Sequence, residues 1–241
     1  MKKITFPLLL MLFLASCGKD PMPEPTKTRT RFSVLGDSYS AFEGCVDPES
    51  NDVFPYSLIG ITDYKQMWWY EVADANGWRL EKNNSFSGSL ICNCDHNEYY
   101  APHSFIHRMD DLGNPDVIFV FGATNDVFNG ADLGDYVYAA WTEEHLRMFR
   151  PGLSYLLSSL DELYPHAKVY LMVDMDLCSG GVNDSIRDAF IESMHVVADH
   201  YGAQCIDLYS VYKQRWHPNV YGMRSIARQV IDATWTGVIN F

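Results

Sequence analysis

Short, uninterrupted apolar runs alternate along this chain with longer stretches in which apolar residues recur at helical spacing. The first run, Phe32, Val34 and Leu35 within RFSVLGDSYS, stops at Gly36-Asp37-Ser38. Residues 78–84, 168–174 (KVYLMVD) and 204–208 also read as strands, and 115–121 (PDVIFVF) is a continuous apolar run. Continuous apolar runs of this length suit strands buried on both faces. Between them, helical spacing begins at Asp63 and passes through Met67, Trp68, Val72 and Ala75 to a stop at Asn76-Gly77. A short helix is predicted near Pro102, and a long one over 142–163 with Leu146, Phe149, Leu153, Leu156 and Leu160 on one face. Pro151 is expected to kink or interrupt that long helix. Helices over 184–201 and from about Pro218 complete the pattern.

Five strands separated by helices imply an α/β fold with a parallel sheet covered on both faces, because parallel neighbours need long, right-handed crossovers. A flavodoxin-like strand order is the default, with the ligand site at the carboxyl ends beside the first strand. No repeat or second linker interrupts residues 31–241, which are predicted to form one domain.

The residues before this domain read differently. Residues 1–16 carry Lys2 and Lys3 and an apolar run too short to span a bilayer, the pattern of an export signal. Leu14-Ala15-Ser16-Cys17 resembles a bacterial lipobox, so Cys17 is expected to be lipidated and to anchor the protein in the bacterial cell envelope. Residues 17–30, rich in alternating Pro, read as an extended tether. The formal net charge of −13 excludes a phosphate-tracking surface, so no nucleic-acid partner is expected.

An oxidising compartment would permit disulfides, and a bridge from Cys92 or Cys94 to Cys45 is the expected one. Cys178 and Cys205 read as buried free thiols. Cys92, Cys94, His96, His103 and His107 are soft metal ligands, but their spacing fits no structural zinc site, and no metal or other cofactor is expected. The long segment 39–66 is expected to wall a pocket. The aromatics Tyr39, Phe42, Tyr56, Trp68, Tyr99 and Tyr100 are candidates for stacking on a sugar.

Candidate chemistry concentrates at strand ends. Ser38 follows the first strand, Asn125 follows the third, and His217 precedes a helix-starting Pro218. A serine hydroxyl attacks an ester only when a neutral imidazole takes its proton and donors already face the developing oxyanion. Ser38 N–H, Gly88 N–H and the Asn125 amide are the candidate donors, with Ser38 as nucleophile and His217 as base.

Four blocks carry a resemblance: Gly36-Asp37-Ser38-Tyr39, Gly88 within NNSFSGS, Asn125-Asp126, and His217-Pro218 ahead of Gly222-Met223. In order and spacing the chain resembles the GDSL/SGNH hydrolase superfamily from Arg31 to about Ile231. The resemblance implies an α/β/α sandwich, metal-free ester hydrolysis, the Ser38–His217 pair, and an oxyanion hole from Ser38, Gly88 and Asn125. Two positions depart from it. Ala123 stands two residues before Asn125, where the family usually has Gly. Gln214 stands three residues before His217, where the family usually has its acid. A backbone carbonyl near Gln214, or the Asp207 carboxylate, is then left to orient the ring.

The expected activity is hydrolysis of small acyl esters, with an O-acetylated carbohydrate or another small-molecule ester as substrate. A lipase or lysophospholipase of the same fold is the second reading, and a carbohydrate-binding lipoprotein with little or no turnover the third.

Overall fold

A parallel sheet of order β2-β1-β3-β4-β5 organises the chain in a computed structural model that describes residues 29–46, 51–94 and 99–234. Its strands are β1 (Arg31–Gly36), β2 (Arg79–Ser85), β3 (Val117–Phe121), β4 (Lys168–Asp174) and β5 (Gln204–Leu208), every neighbouring pair being parallel. The order is the flavodoxin-like one. The signal, the lipobox Cys17 and all but the last two residues of the tether lie outside the described residues, as does His96.

Strand alternation sorts the core into two layers. In β3, Ile118 and Val120 point to one face, where they meet Leu153, Leu156, Leu157 and Leu160 of α5 (Phe149–Leu163) and Phe190, Met194 and Val197 of α6 (Asp184–Tyr201). Phe119 and Phe121 point to the other face, against Trp68 and Val72 of α1 (Trp68–Asn76) and Met223, Ile226 and Val230 of α7 (Val220–Thr234). Helices thus cover both faces of the sheet, giving a three-layer α/β/α sandwich.

The long helix predicted over 142–163 is interrupted, but not at the proline. A short helix, Glu143–Leu146, ends before Arg147, and Phe149–Leu163 begins afresh. Pro151 sits in the first turn of the second helix, where its missing N–H costs nothing.

The two sheet faces also decide the cysteines. Cys92 and Cys94 are buried on the α5–α6 side, while Cys45 packs against the α1–α7 cluster, so the sheet separates them. The expected bridge to Cys45 is therefore corrected: none of the five described cysteines is in a disulfide. Cys178 is buried and Cys205 half-buried. His103 stacks on the Phe86 ring, centroids 4.0 Å apart.

Two of the elements that the sequence pattern missed lie at the site. One is the short helix Thr124–Phe128 directly after β3; the other is a hairpin of two-residue strands, β6 (Lys213–Gln214) and β7 (His217–Pro218). Neither is long enough to show periodicity.

Candidate active site

The chain leaves β1 through Gly36, Asp37 and Ser38 with almost no spare volume. A Cβ on Gly36 would come within 2.7 Å of Ser85 Oγ and 2.8 Å of Ser40 Oγ, so only glycine lets β1 and the following turn pack this closely. Asp37 Oδ1 accepts from Tyr39 N at 2.8 Å, closing the turn that presents Ser38. The Ser38 carbonyl accepts from Tyr56 Oη at 2.6 Å, so the loop 39–66 holds the nucleophile from the other side.

Ser38 Oγ lies 3.0 Å from His217 Nε2, and His217 Nδ1 lies 2.9 Å from the Arg215 carbonyl oxygen. A carbonyl only accepts, so Nδ1 carries the proton and Nε2 is left to accept from the serine, the tautomer a general base needs. Burial pushes the His217 pKa below its ordinary value, while the Arg215 carbonyl works in the opposite direction. The Phe54 ring lies flat on the imidazole, with centroids 3.5 Å apart and planes 7° from parallel.

The hairpin explains how the carbonyl gets there. Gln214 pairs with His217, and the two residues between them, Arg215 and Trp216, have φ of 51° and 66°. Two consecutive left-handed residues make the primed turn that suits a two-residue hairpin. Neither is Gly or Asn, and each such conformation costs about 1–2 kcal/mol. The turn is held by Tyr39 Oη, which donates to the Trp216 carbonyl at 2.6 Å, and by Lys213 Nζ, 2.5 Å from the buried Asp174 Oδ2.

Asp207, one of the two groups considered for orienting His217, is corrected by its position. Its Oδ1 lies 2.7 Å from Nε2 of His195 on α6, a different histidine. Gln214 is exposed and takes part through its place in the turn, next to the carbonyl that holds the ring.

The three candidate oxyanion donors come from adjoining segments, because Asn125 Nδ2 contacts Ser89, next to Gly88, and Asp37, next to Ser38. Gly88 has φ of 79°, and a Cβ there would fall 2.3 Å from Tyr100 Cε1, so both backbone and space demand glycine. Among the described residues neither the Ser38 nor the Gly88 N–H has an acceptor. Asn125 Nδ2 donates to the Ser89 carbonyl at 2.9 Å and makes only a long contact, 3.4 Å, with Asp37 Oδ2. One amide hydrogen therefore anchors the side chain, and the other remains for a developing oxyanion. Ala123, where Gly is usual in the resembled family, has φ of 79°, which explains the preference.

Buried charge surrounds the pair. Burial raises the Asp37 carboxyl to about 7 and that of Asp126 to about 6. Asp126 accepts from Ile91 N at 3.0 Å and Cys92 N at 3.1 Å, fixing the loop after Gly88. Arg108, on the short helix Phe105–Arg108, is buried and bonded to chain carbonyls and a hydroxyl rather than to a carboxylate. It donates to the carbonyls of Gly36 (3.1 Å), His103 (2.7 Å) and Asn84, and to Ser89 Oγ (2.9 Å). Desolvation pulls its guanidinium down to about 9, still charged at neutral pH. Arg108 thus ties the end of β1, the end of β2 and the Gly88 loop together. Nothing in the sequence marks it, because its partners lie far along the chain. Phe54 was likewise hidden in the long loop, and Tyr56 was singled out there only as a candidate for stacking on a sugar.

The aromatics expected to stack on sugar are corrected in part. Tyr39, Tyr56 and Trp68 are core residues, at most 3% exposed, whereas Trp216 and Phe128 are 50% and 44% exposed.

The GDSL-like lipase/acylhydrolase family matches this chain over residues 30–234. A GDSL-like lipase structure from Bacteroides ovatus is 39% identical, with TM-score 0.77, covering 86% of this chain and 98% of its own. Another, from Bacteroides uniformis, is 39% identical with TM-score 0.76, covering 86% and 96%. Est24, a carbohydrate acetylesterase from Sinorhizobium meliloti, shares the fold at 12% identity and TM-score 0.57, covering 85% and 98%. No curated protein matches.

Proposed function

Because the chain belongs to the GDSL-like lipase/acylhydrolase family and is a carboxylic ester hydrolase, we propose that Ser38 and His217 perform this hydrolysis as a dyad on small acyl esters. The observation that carries this reading is the chain of contacts from Ser38 Oγ to His217 Nε2 (3.0 Å) and from Nδ1 to the Arg215 carbonyl (2.9 Å). Ser38 Oγ attacks the ester carbonyl carbon while its proton passes to His217 Nε2. The oxyanion accepts from the Ser38 and Gly88 N–H groups and the second Asn125 amide hydrogen. The tetrahedral adduct then collapses, His217 returns the proton to the leaving alkoxide, and water releases the acyl group by the same steps. The Arg215 carbonyl supplies the tautomer lock of the usual acid without its negative charge, so the dyad keeps part of what a carboxylate would contribute.

A small acyl group fits the crowding at the oxyanion side, where the Tyr100 ring lies against Gly88 Cα. O-acetylated carbohydrate is the substrate class favoured, supported by the fold shared with a carbohydrate acetylesterase and by exposed aromatic rings beside the dyad. Cys17 is the proposed lipid anchor that places the enzyme in the bacterial envelope. Cys17→Ser is expected to move the protein from the membrane to the soluble fraction.

The test of the reaction is labelling by a fluorophosphonate and hydrolysis of p-nitrophenyl acetate. Wild type is expected to show both and Ser38→Ala neither. Equal turnover by the two proteins would overturn the assignment.

A further inference from the structure

A cleft of about 560 Å³ is walled in part by residues adjacent in the chain to Ser38 and His217 and by Phe128, just past Asn125. Tyr39 follows the nucleophile, Arg215 and Trp216 precede the base, and Phe128 lies one helical turn beyond Asn125. Trp216 meets Phe128 edge to face, ring centroids 5.4 Å apart, and both rings keep about half their surface in solvent. Gly181 lies under their junction, where a Cβ would come within 3.2 Å of the indole and 3.3 Å of the phenyl ring. Asp176 and Ser179 add polar groups to the lining.

We propose that this cleft binds the alcohol half of the ester as an uncharged sugar ring. Its apolar C–H face would lie on Trp216 and its hydroxyls would reach Arg215, Asp176 and Ser179. The inference rests on the esterase reading and adds the position and chemistry of the leaving group.

Three observations carry it. First, His217 must protonate the departing alkoxide, so the alcohol half lies on the His217 side of Ser38, and the two residues preceding His217 line this cleft. Second, the wall charges cancel. Lys213 is spent on Asp174 at 2.5 Å and on the Asp176 carbonyl at 3.0 Å, which leaves one cation, Arg215, and one anion, Asp176, in the lining. A balanced set of donors and acceptors selects a neutral polyhydroxyl ligand over a carboxylate or a phosphate. Third, among the described residues the Arg215 guanidinium, the Asp176 carboxylate and the Ser179 hydroxyl make no bonds to other side chains or carbonyls, so all three can turn to a ligand. A cleft of this size with one aromatic face and a few convergent polar groups suits a small ligand, and a lipid tail would leave those polar groups unpaired.

The experiment compares kcat/KM for a mono-O-acetylated methyl glucopyranoside with that for p-nitrophenyl acetate, in wild type, Trp216→Ala and Asp176→Asn. Because Trp216 adjoins His217, the readout is the ratio of the two values. The ratio is expected to fall at least tenfold in Trp216→Ala and about threefold in Asp176→Asn. Unesterified methyl glucopyranoside is also expected to quench tryptophan fluorescence of the Ser38→Ala protein, and Trp216→Phe in that background to abolish the change. A wild type that cleaves p-nitrophenyl acetate but not the sugar ester, an unchanged ratio, or a tenfold preference for an acetylated glucuronide overturns the cleft assignment and leaves the esterase reading intact. If neither ester is cleaved the esterase reading fails, and quenching that depends on Trp216 still decides the cleft.

Discussion

Ser38 and His217 meet at 3.0 Å, yet the segments that bring them together are held in opposite ways. The nucleophile end is buried and fixed from many directions. Gly36 leaves no gap, Arg108 spans three segments beneath it, Tyr56 grips the Ser38 carbonyl, and Ser38 itself is 8% exposed. The histidine end is a hairpin of two-residue strands around an exposed turn of two left-handed residues, held by Tyr39 Oη, the Lys213–Asp174 ion pair and the Phe54 ring. The serine is positioned by the fold as a whole, whereas the base is positioned by a few local contacts. Damage at the first end should therefore appear as lost folding, and damage at the second as lost turnover.

The largest effect expected is that of Gly88→Ala on rate. It forces a side chain into a left-handed residue and onto Tyr100, displacing one oxyanion donor. A fall in kcat of about 10²–10³-fold is expected, measured with p-nitrophenyl acetate, together with a lower urea midpoint, because the Gly88 loop belongs to the tightly tied end. Next, Arg108→Met strips buried carbonyls of their donor and should destabilise the protein by about 3 kcal/mol, read by urea unfolding. An Arg108→Met protein as stable as wild type would show that the nucleophile end is not tied as described.

The pH dependence separates the two ends by sign. His217 has its pKa lowered by burial, so the base is already neutral below the ordinary histidine value of 6.5, and the acid limb of kcat/KM is expected below that pH. Asp37 is raised from 3.8 to about 7, so the native state holds its proton more tightly than the unfolded chain. That contribution to stability is complete below pH 3.8 and is lost as pH rises to about 7. Thermal midpoints should therefore fall between pH 5 and 8, by about 5–10 °C more in wild type than in Asp37→Asn. The smallest effects concern the missing acid. The Arg215 carbonyl already fills the Nδ1 position, so Gln214→Asp is expected to change kcat less than about threefold. Asp207→Asn, which touches only the His195 pair, should leave kcat within about twofold of wild type. A large drop in Asp207→Asn would mean that this carboxylate holds the ring, and a large rise in Gln214→Asp would mean that the carbonyl leaves the Nδ1 position underfilled.

Much of this was legible in the sequence. The strands over 168–174 and 204–208 and the helix over 184–201 stand where the apolar pattern places them, because buried parallel strands and amphipathic helices impose strong local periodicity. Ser38, Gly88, Asn125 and His217 could be singled out because strand ends and turn glycines leave short marks. The hairpin before His217 left none, since Arg-Trp is not a pair that advertises a primed turn. The stacking aromatics were misassigned for a related reason. Composition counts Trp68 and Trp216 alike, but one is wholly buried and the other half-exposed.

By itself, then, the sequence determined the α/β architecture and singled out Ser38 and His217 as the candidate nucleophile and base, since each depends on local pattern. Only the tertiary structure decided what orients the base, that Asp207 serves His195, that Cys45 cannot reach Cys92, and that Arg108 underlies the serine. Each of those depends on the sign of a backbone dihedral or on a meeting of residues far apart in the chain, and neither is encoded in periodicity.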